Sequence, residues 1–413
     1  MSLQDALAAL AKRYPGESGA RQPVHTVYGG AQLFKSDTTV KLGALGLRAL
    51  NEHGGTPIDF ARAIGVSEAL AETIHARVVD KLTREPVEDF RIDFEDGYGN
   101  RPDDEEDGHA AAAAREVAAG MKNGTLPPFL GIRIKTFSQE LMPRAVRTME
   151  IFLTTLVESA GALPPWFVVT LPKIQLVEQV AALADIFDAL EPKLGLPAGA
   201  LKMEFMIETT QVIAILQQLP DAARGRAVAA HFGTYDYTAS CNITAAHQRM
   251  DHPACDHARH AMQVAYAGTG LWLSDGATNI MPIGDRATIH AAWRLHVDHI
   301  RHSLVNAYYQ GWDLNPAQLP TRYAAVYSFF LEGLAAATER LRNFIQKAGQ
   351  ATLVGDVFDD AATGQGLLNY FLRALNCGAI TEEEALATGL TLDELRSRSF
   401  VKILRGRRTA AAP

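Results

Sequence analysis

Eight short apolar runs alternate with longer helical patterns along this chain, and that alternation constrains the fold more than any other feature. The runs cover residues 24–29, 90–94, 128–135, 166–171, 201–207, 227–232, 270–274 and 311–314. Helical patterns separate most of them, at 110–121, 140–159, 176–190, 211–219, 256–267 and 286–309. Strands that alternate with helices pair in parallel, because a crossover helix carries the chain back to start the next strand in the same direction. Eight such units without a glycine-rich dinucleotide loop favour a closed barrel over an open doubly wound sheet. The predicted fold is therefore α/β, a (β/α)8 TIM barrel over residues 22–320. A helix within 1–21 precedes it, and a helical insert at about 41–82 interrupts it. Beyond Pro320 the strand signals stop, and 321–413 read as a helical C-terminal extension.

A chain of 413 residues accommodates that plan, since barrels of this kind take about 250 residues before insertions. The net charge of −8, with no basic face, argues against a nucleic-acid partner. The one dense basic run, residues 405–408, reads as a solvated tail. No stretch approaches the ~20 apolar residues of a membrane span, and the N-terminus lacks the features of a signal peptide. Cys241, Cys255 and Cys377 show no paired spacing, which fits a reducing cytoplasm.

Two acidic residues stand where apolar runs give way to loops: Glu208, after Met203 to Ile207, and Asp236, after His231-Phe232-Gly233. In a parallel barrel the C-terminal strand ends form the active-site rim. Two carboxylates on neighbouring strand ends make a hard, all-oxygen site suited to Mg²⁺, with Mn²⁺ as a second choice. Asp93, Glu95 and Asp96 cluster at the end of the second run. Strand alternation sends Asp93 and Glu95 to one side and leaves Asp96 on the turn, where they would hold metal-bound waters or orient cationic side chains. The stretch 103–107 is acidic as well, but it reads as a solvated helix start.

Arg133 and Lys135 share one face of the third strand. A charge inside a barrel is costly unless paired, and a guanidinium fork suits a substrate carboxylate. Lys173, after Leu171-Pro172, is a further candidate of that kind, or a partner for Glu95 or Glu208. The histidines between His247 and His260 match no common zinc spacing and read as a polar loop entering a helix.

These segments, in this order, resemble the citrate lyase β-subunit, malyl-CoA lyase and malate synthase superfamily, and more distantly the metal-dependent pyruvate aldolases. The resemblance rests on Asp93-Phe94-Glu95-Asp96, Ile132-Arg133-Ile134, Leu171-Pro172-Lys173-Ile174, Ile207-Glu208-Thr209, Gly233-Thr234-Tyr235-Asp236-Tyr237 and Gly311 to Gln318. It implies a Mg²⁺-bearing barrel that makes or breaks a carbon–carbon bond beside a carbonyl, through a metal-stabilised enolate. By position it implies Glu208 and Asp236 as metal ligands and Arg133 as the carboxylate-binding arginine. Glu95 joins Arg133 as a catalytic candidate, with Lys135 and Lys173 as substrate-binding residues and Asp93 and Asp96 in support. It implies a homo-oligomer too, since relatives take a catalytic aspartate from the C-terminal region, sometimes across a subunit interface; Asp359 is the counterpart here.

The chain departs from that pattern in two places. Family lyases carry a basic residue and Pro-Gly after the first strand, where CoA docks, whereas this chain has Tyr28-Gly29-Gly30-Ala31-Gln32. The closing His-Pro is Asn315-Pro316. The expected function is a Mg²⁺-dependent carbon–carbon lyase or aldolase acting on a small 2-oxo or hydroxy acid. A CoA-thioester lyase or synthase of the malyl-CoA or citramalyl-CoA type is the enzymatic alternative. A non-catalytic regulatory or binding protein on an inherited barrel is the third reading, disfavoured by retention of Glu208, Asp236 and Arg133.

Overall fold

The computed structural model describes residues 2–16, 19–346, 352–354, 357–359, 361–397, 399–400, 402–403 and 406–407. Eight parallel strands close into a barrel in sequence order: β1 (His25–Gly30), β2 (Asp89–Asp93), β3 (Phe129–Arg133), β4 (Val168–Leu171), β5 (Lys202–Ile207), β6 (Ala227–Phe232), β7 (Trp272–Ala277) and β8 (Gln310–Asp313). β8 pairs with β1 to complete the ring. The expected (β/α)8 fold is thus the observed one, with helices between the strands and a helical C-terminal region.

Strand alternation divides each run into two sets. Ile92, Ile132, Val169, Phe205 and Phe232 face outward and are fully buried against the surrounding helices, forming the main hydrophobic core. The inward set is largely polar. At one mouth, Phe129, Ala229 and Trp272 form a small apolar plug. Above it lies an ionic layer in which the Arg91 guanidinium donates to Asp89 and to both oxygens of Glu204, and Thr170 joins it. His231 stands 3.3 Å from Glu204. A buried guanidinium needs such partners, since an uncompensated charge in the interior is expensive.

Three helices of the insert, Thr38–Ala49, Pro57–Ile64 and Ala71–Arg84, lie between β1 and β2. The C-terminal region opens with a long helix, Leu319–Gln346, tied to the barrel by Asp313 at the end of β8. That carboxylate accepts from Arg322 Nε (3.0 Å) and lies 2.6 Å from His25 Nδ1 and 3.0 Å from His296 Nε2. Burial opposes its charge, but Arg322 and the two imidazoles hold it well below the usual carboxylate range.

Three local expectations change. The helix predicted at 211–219 is two short helices, Thr210–Ile213 and Leu219–Ala222, with a tight turn between them. Pro220 sits in the first turn of the second, where its missing N–H costs nothing. The pattern over 381–397 splits at Gly389, which has φ +80°; Thr391 then caps a new helix through Glu394. Within the basic run near the C-terminus Arg407 is not simply solvated, because it donates to both oxygens of Glu394; Arg405 and Arg408 lie outside the described residues. Among the described residues, no helix is long and apolar enough to cross a membrane.

Candidate active site at the C-terminal rim

The register of the barrel assembles the rim. Asp93 pairs with Arg133 across β2 and β3, and Arg133 with Thr170 across β3 and β4. Ile207 pairs with Phe232 across β5 and β6, so Glu208 and Gly233 leave the sheet side by side. A Cβ on Gly233 would lie 2.5 Å from Glu208 Oε2, so this glycine is needed for the carboxylate to fit. Asp236 follows in the first turn of the helix Thr234–Ser240.

Glu208 is buried, and its Oε1 accepts the backbone N–H of Lys173 at 2.7 Å. Burial first, then the charges of Asp236 and Glu95, push its carboxyl up to about 8. Asp236 is half-exposed and lies 3.7 Å from the Lys173 ammonium. The two proposed metal ligands therefore face one another electrostatically, with Lys173 between them and the β2 loop.

Asp93 organises that loop. Its carboxylate accepts the N–H groups of Glu95 (3.0 Å) and Gly97 (2.7 Å), and a Cβ on Gly97 would fall 2.5 Å from Asp93 Oδ2. Arg133 clamps the same carboxylate from the other side, with Nε to Oδ1 at 2.7 Å and Nη2 to Oδ2 at 2.5 Å. Its Nη1 lies 3.2 Å from Glu95 Oε2. Arg133 thus enters the cluster as expected, but its fork is turned onto Asp93 and only the Nη1 side faces the other rim acids. The guanidinium also rests over the Tyr28 ring, 4.8 Å from its centre.

Lys173 bonds Glu95 and also Asp96, at 2.9 Å. Burial holds Glu95 above the usual carboxylate range in spite of Arg133 and Lys173. Asp96 is nearer solvent; burial raises it too, but the Lys173 ammonium outweighs that and holds it below the range. Lys135 is not brought to this cluster. Its ammonium donates to Phe94 O and pairs with Glu106, each at 2.7 Å, under the Tyr98 ring. Lys135 lies two residues past the end of β3, and its ion pair with Glu106 holds it against the helix Asp103–Asn123. Asp359 ends the second strand of a short antiparallel ribbon, Thr352–Val354 with Val357–Asp359, and its side chain lies outside the described residues.

Sequence reasoning passed over two rings. Tyr28 and Trp312 lie 4.4 Å apart, between Arg133 above and His231 below. Trp312 Nε1 donates to His231 Nδ1 at 3.2 Å. The alternation that singled out Asp93 also points Arg91, Glu204 and His231 inward, and so could have found the ionic layer. The histidine-rich segment is a helix entry, with His252 accepting the N–H of Ala254. Among the described residues, no group of three or more His, Cys, Asp or Glu has metal-ligand geometry.

The sequence profile of one family, described as a domain of unknown function, DUF6986, matches residues 3–403. The chain belongs to the DUF6986 family. No curated protein matches this DUF6986 chain in sequence. Solved structures share its fold. A citrate lyase from Burkholderia xenovorans LB400 is 20% identical, with a TM-score of 0.61 over 89% of this chain and 96% of its own. The malate synthase of Haloferax volcanii, in a magnesium and glyoxylate complex, is 15% identical with a TM-score of 0.50, over 92% and 98%. CitE of Mycobacterium tuberculosis, in complex with magnesium, acetoacetate and coenzyme A, is 15% identical with a TM-score of 0.50, over 87% and 99%. At such identities the likeness establishes the barrel alone.

Proposed function

We propose that this protein is a divalent-metal-dependent carbon–carbon lyase or aldolase acting on a small 2-oxo or hydroxy acid. The observation that carries the reading is geometric: Glu208 is a buried carboxylate at the rim of a closed barrel, beside Asp236 and Glu95, whose charges together with burial hold it above the usual carboxylate range. Five carboxylates (Asp93, Glu95, Asp96, Glu208 and Asp236) share two cationic side chains, Arg133 and Lys173, in the contacts described above. Such an excess of hard oxygen donors fits Mg²⁺ or Mn²⁺. Glu208 and Asp236 would hold the ion. When bound, it would polarise the substrate carbonyl and stabilise the negative charge that grows beside it.

The remaining roles follow from the side chains. Arg133 keeps the 93–97 loop in place through Asp93 and offers the Nη1 side and its charge to a substrate carboxylate. Lys173 fixes Glu208 through its backbone N–H and balances Glu95 and Asp96. Glu95, raised by burial and touching both cations, is the group best placed to carry a proof-of-role test as acid or base. A free acid is favoured over a CoA thioester by the surroundings of β1. A cavity of about 180 Å³ beside its C-terminal end is lined by Val27, Leu33, Phe34, Leu42, Phe90 and other uncharged residues. That lining holds no cationic side chain to pair with CoA phosphates.

Titration of the metal-free protein with Mg²⁺ and Mn²⁺, followed by assays of 2-oxo acid formation from hydroxy- and oxo-acid panels, tests the reading. Saturable binding and metal-dependent cleavage are expected. Absence of binding at millimolar metal would refute it.

A further inference from the structure

Lys173 occupies the space a metal would compete for. Its ammonium touches Glu95, lies 2.9 Å from Asp96 Oδ2 and stands 3.7 Å from Asp236 Oδ2. Its backbone is left-handed, with φ +51°, a conformation uncommon for a residue that is not glycine. That turn lets one residue serve two elements. The N–H is aimed at Glu208, while the side chain reaches across the rim to the β2 loop. The two contacts are separable, because the long side chain can swing away without moving the main chain. At 28% exposure it has a route to solvent.

Resting on the metal-dependent reading above, we propose that Lys173 is a built-in competitor for the metal, a tethered cation that fills the acidic rim until a divalent ion expels its ammonium into solvent. A dication held by Glu208 and Asp236 and an ammonium within 4 Å of Asp236 would repel strongly in a partly buried site. One of them must withdraw, and only the ammonium is on a flexible stem. Meanwhile the Lys173 N–H stays on Glu208, so this ligand keeps its position through the exchange. The expected consequence is a weaker affinity for the metal than the carboxylates alone would have.

The test uses the full-length protein, stripped of metal and titrated calorimetrically with Mg²⁺ and Mn²⁺. Lys173→Met should bind at least tenfold more tightly than the parent. In parallel, amine acylation of the parent read by mass spectrometry should modify Lys173 faster in saturating Mg²⁺ than in chelator, with the exposed Lys41 unchanged as control. The acylation measurement needs no variant and decides the matter if Lys173→Met does not fold. Equal or weaker binding by Lys173→Met, or unchanged labelling of Lys173, would overturn the proposal and leave the metal site standing. If the parent and Lys173→Met both fail to bind metal, the functional reading falls together with it.

Discussion

Glu208→Gln should stabilise the metal-free protein, and the gain should depend on pH. The carboxyl titrates near 8 in the fold against an ordinary value near 4.5. A group whose folded pKa is raised contributes stability that is fully present below the unfolded pKa and lost as pH rises through the folded one. From 4.5 upwards the unfolded chain ionises while native Glu208 resists, so the parent loses about 1.4 kcal/mol per pH unit until pH 8. Glutamine has the same shape, accepts the Lys173 N–H and never ionises. Between pH 5 and pH 8 the variant's advantage should therefore widen by about 3–4 kcal/mol. Urea unfolding in excess chelator at pH 5, 6, 7 and 8 reads this directly. At pH 5 the two proteins should nearly coincide. A gap that stays constant across the series, or a variant less stable than the parent at pH 8, would refute the idea that Glu208 is an uncompensated buried acid. Saturating Mg²⁺ should favour the parent instead, by supplying the missing counter-charge.

Three further outcomes are expected. Arg91→Met strands Asp89 and Glu204 inside the barrel, and equilibrium unfolding should show a loss of about 3–5 kcal/mol. Gly233→Ala places a methyl group 2.5 Å from Glu208 Oε2, so calorimetry should report weaker Mg²⁺ binding while circular dichroism reports an intact barrel. Arg133→Lys keeps the charge but cannot span both Asp93 oxygens and Glu95. Losing that charge-assisted bidentate contact with Asp93 should cost roughly 1.5–3 kcal/mol of stability, read by urea unfolding.

The strand order and the rim were legible in the sequence, because both follow from local pattern. Short apolar runs between helices force parallel pairing, and parallel pairing puts every strand's C-terminal residue on one face. Glu208, Asp236 and the 93–96 cluster could therefore be placed together before any contact was known. Alternation within a strand is equally local, and it carried Asp93 and Arg133 to the interior correctly. It failed for Lys135, because β3 ends at Arg133 and the period of two no longer holds beyond it. The split at 381–397 escaped for a similar reason: a capping threonine inside an otherwise helical pattern declares itself only when the chain turns at Gly389.

What the sequence by itself determined is the set of charges and the face on which they meet. Tertiary structure decided how those charges are shared. Arg133 holds Asp93, Lys173 spans Glu95, Asp96 and Asp236, and Arg91 neutralises Asp89 and Glu204. All of these pairings except Arg91 with Asp89 join strands or loops tens of residues apart, at angles set by barrel register and by one left-handed backbone turn at Lys173. Ion pairing depends on distances of a few ångströms and on burial, and neither is encoded in the local spacing of residues.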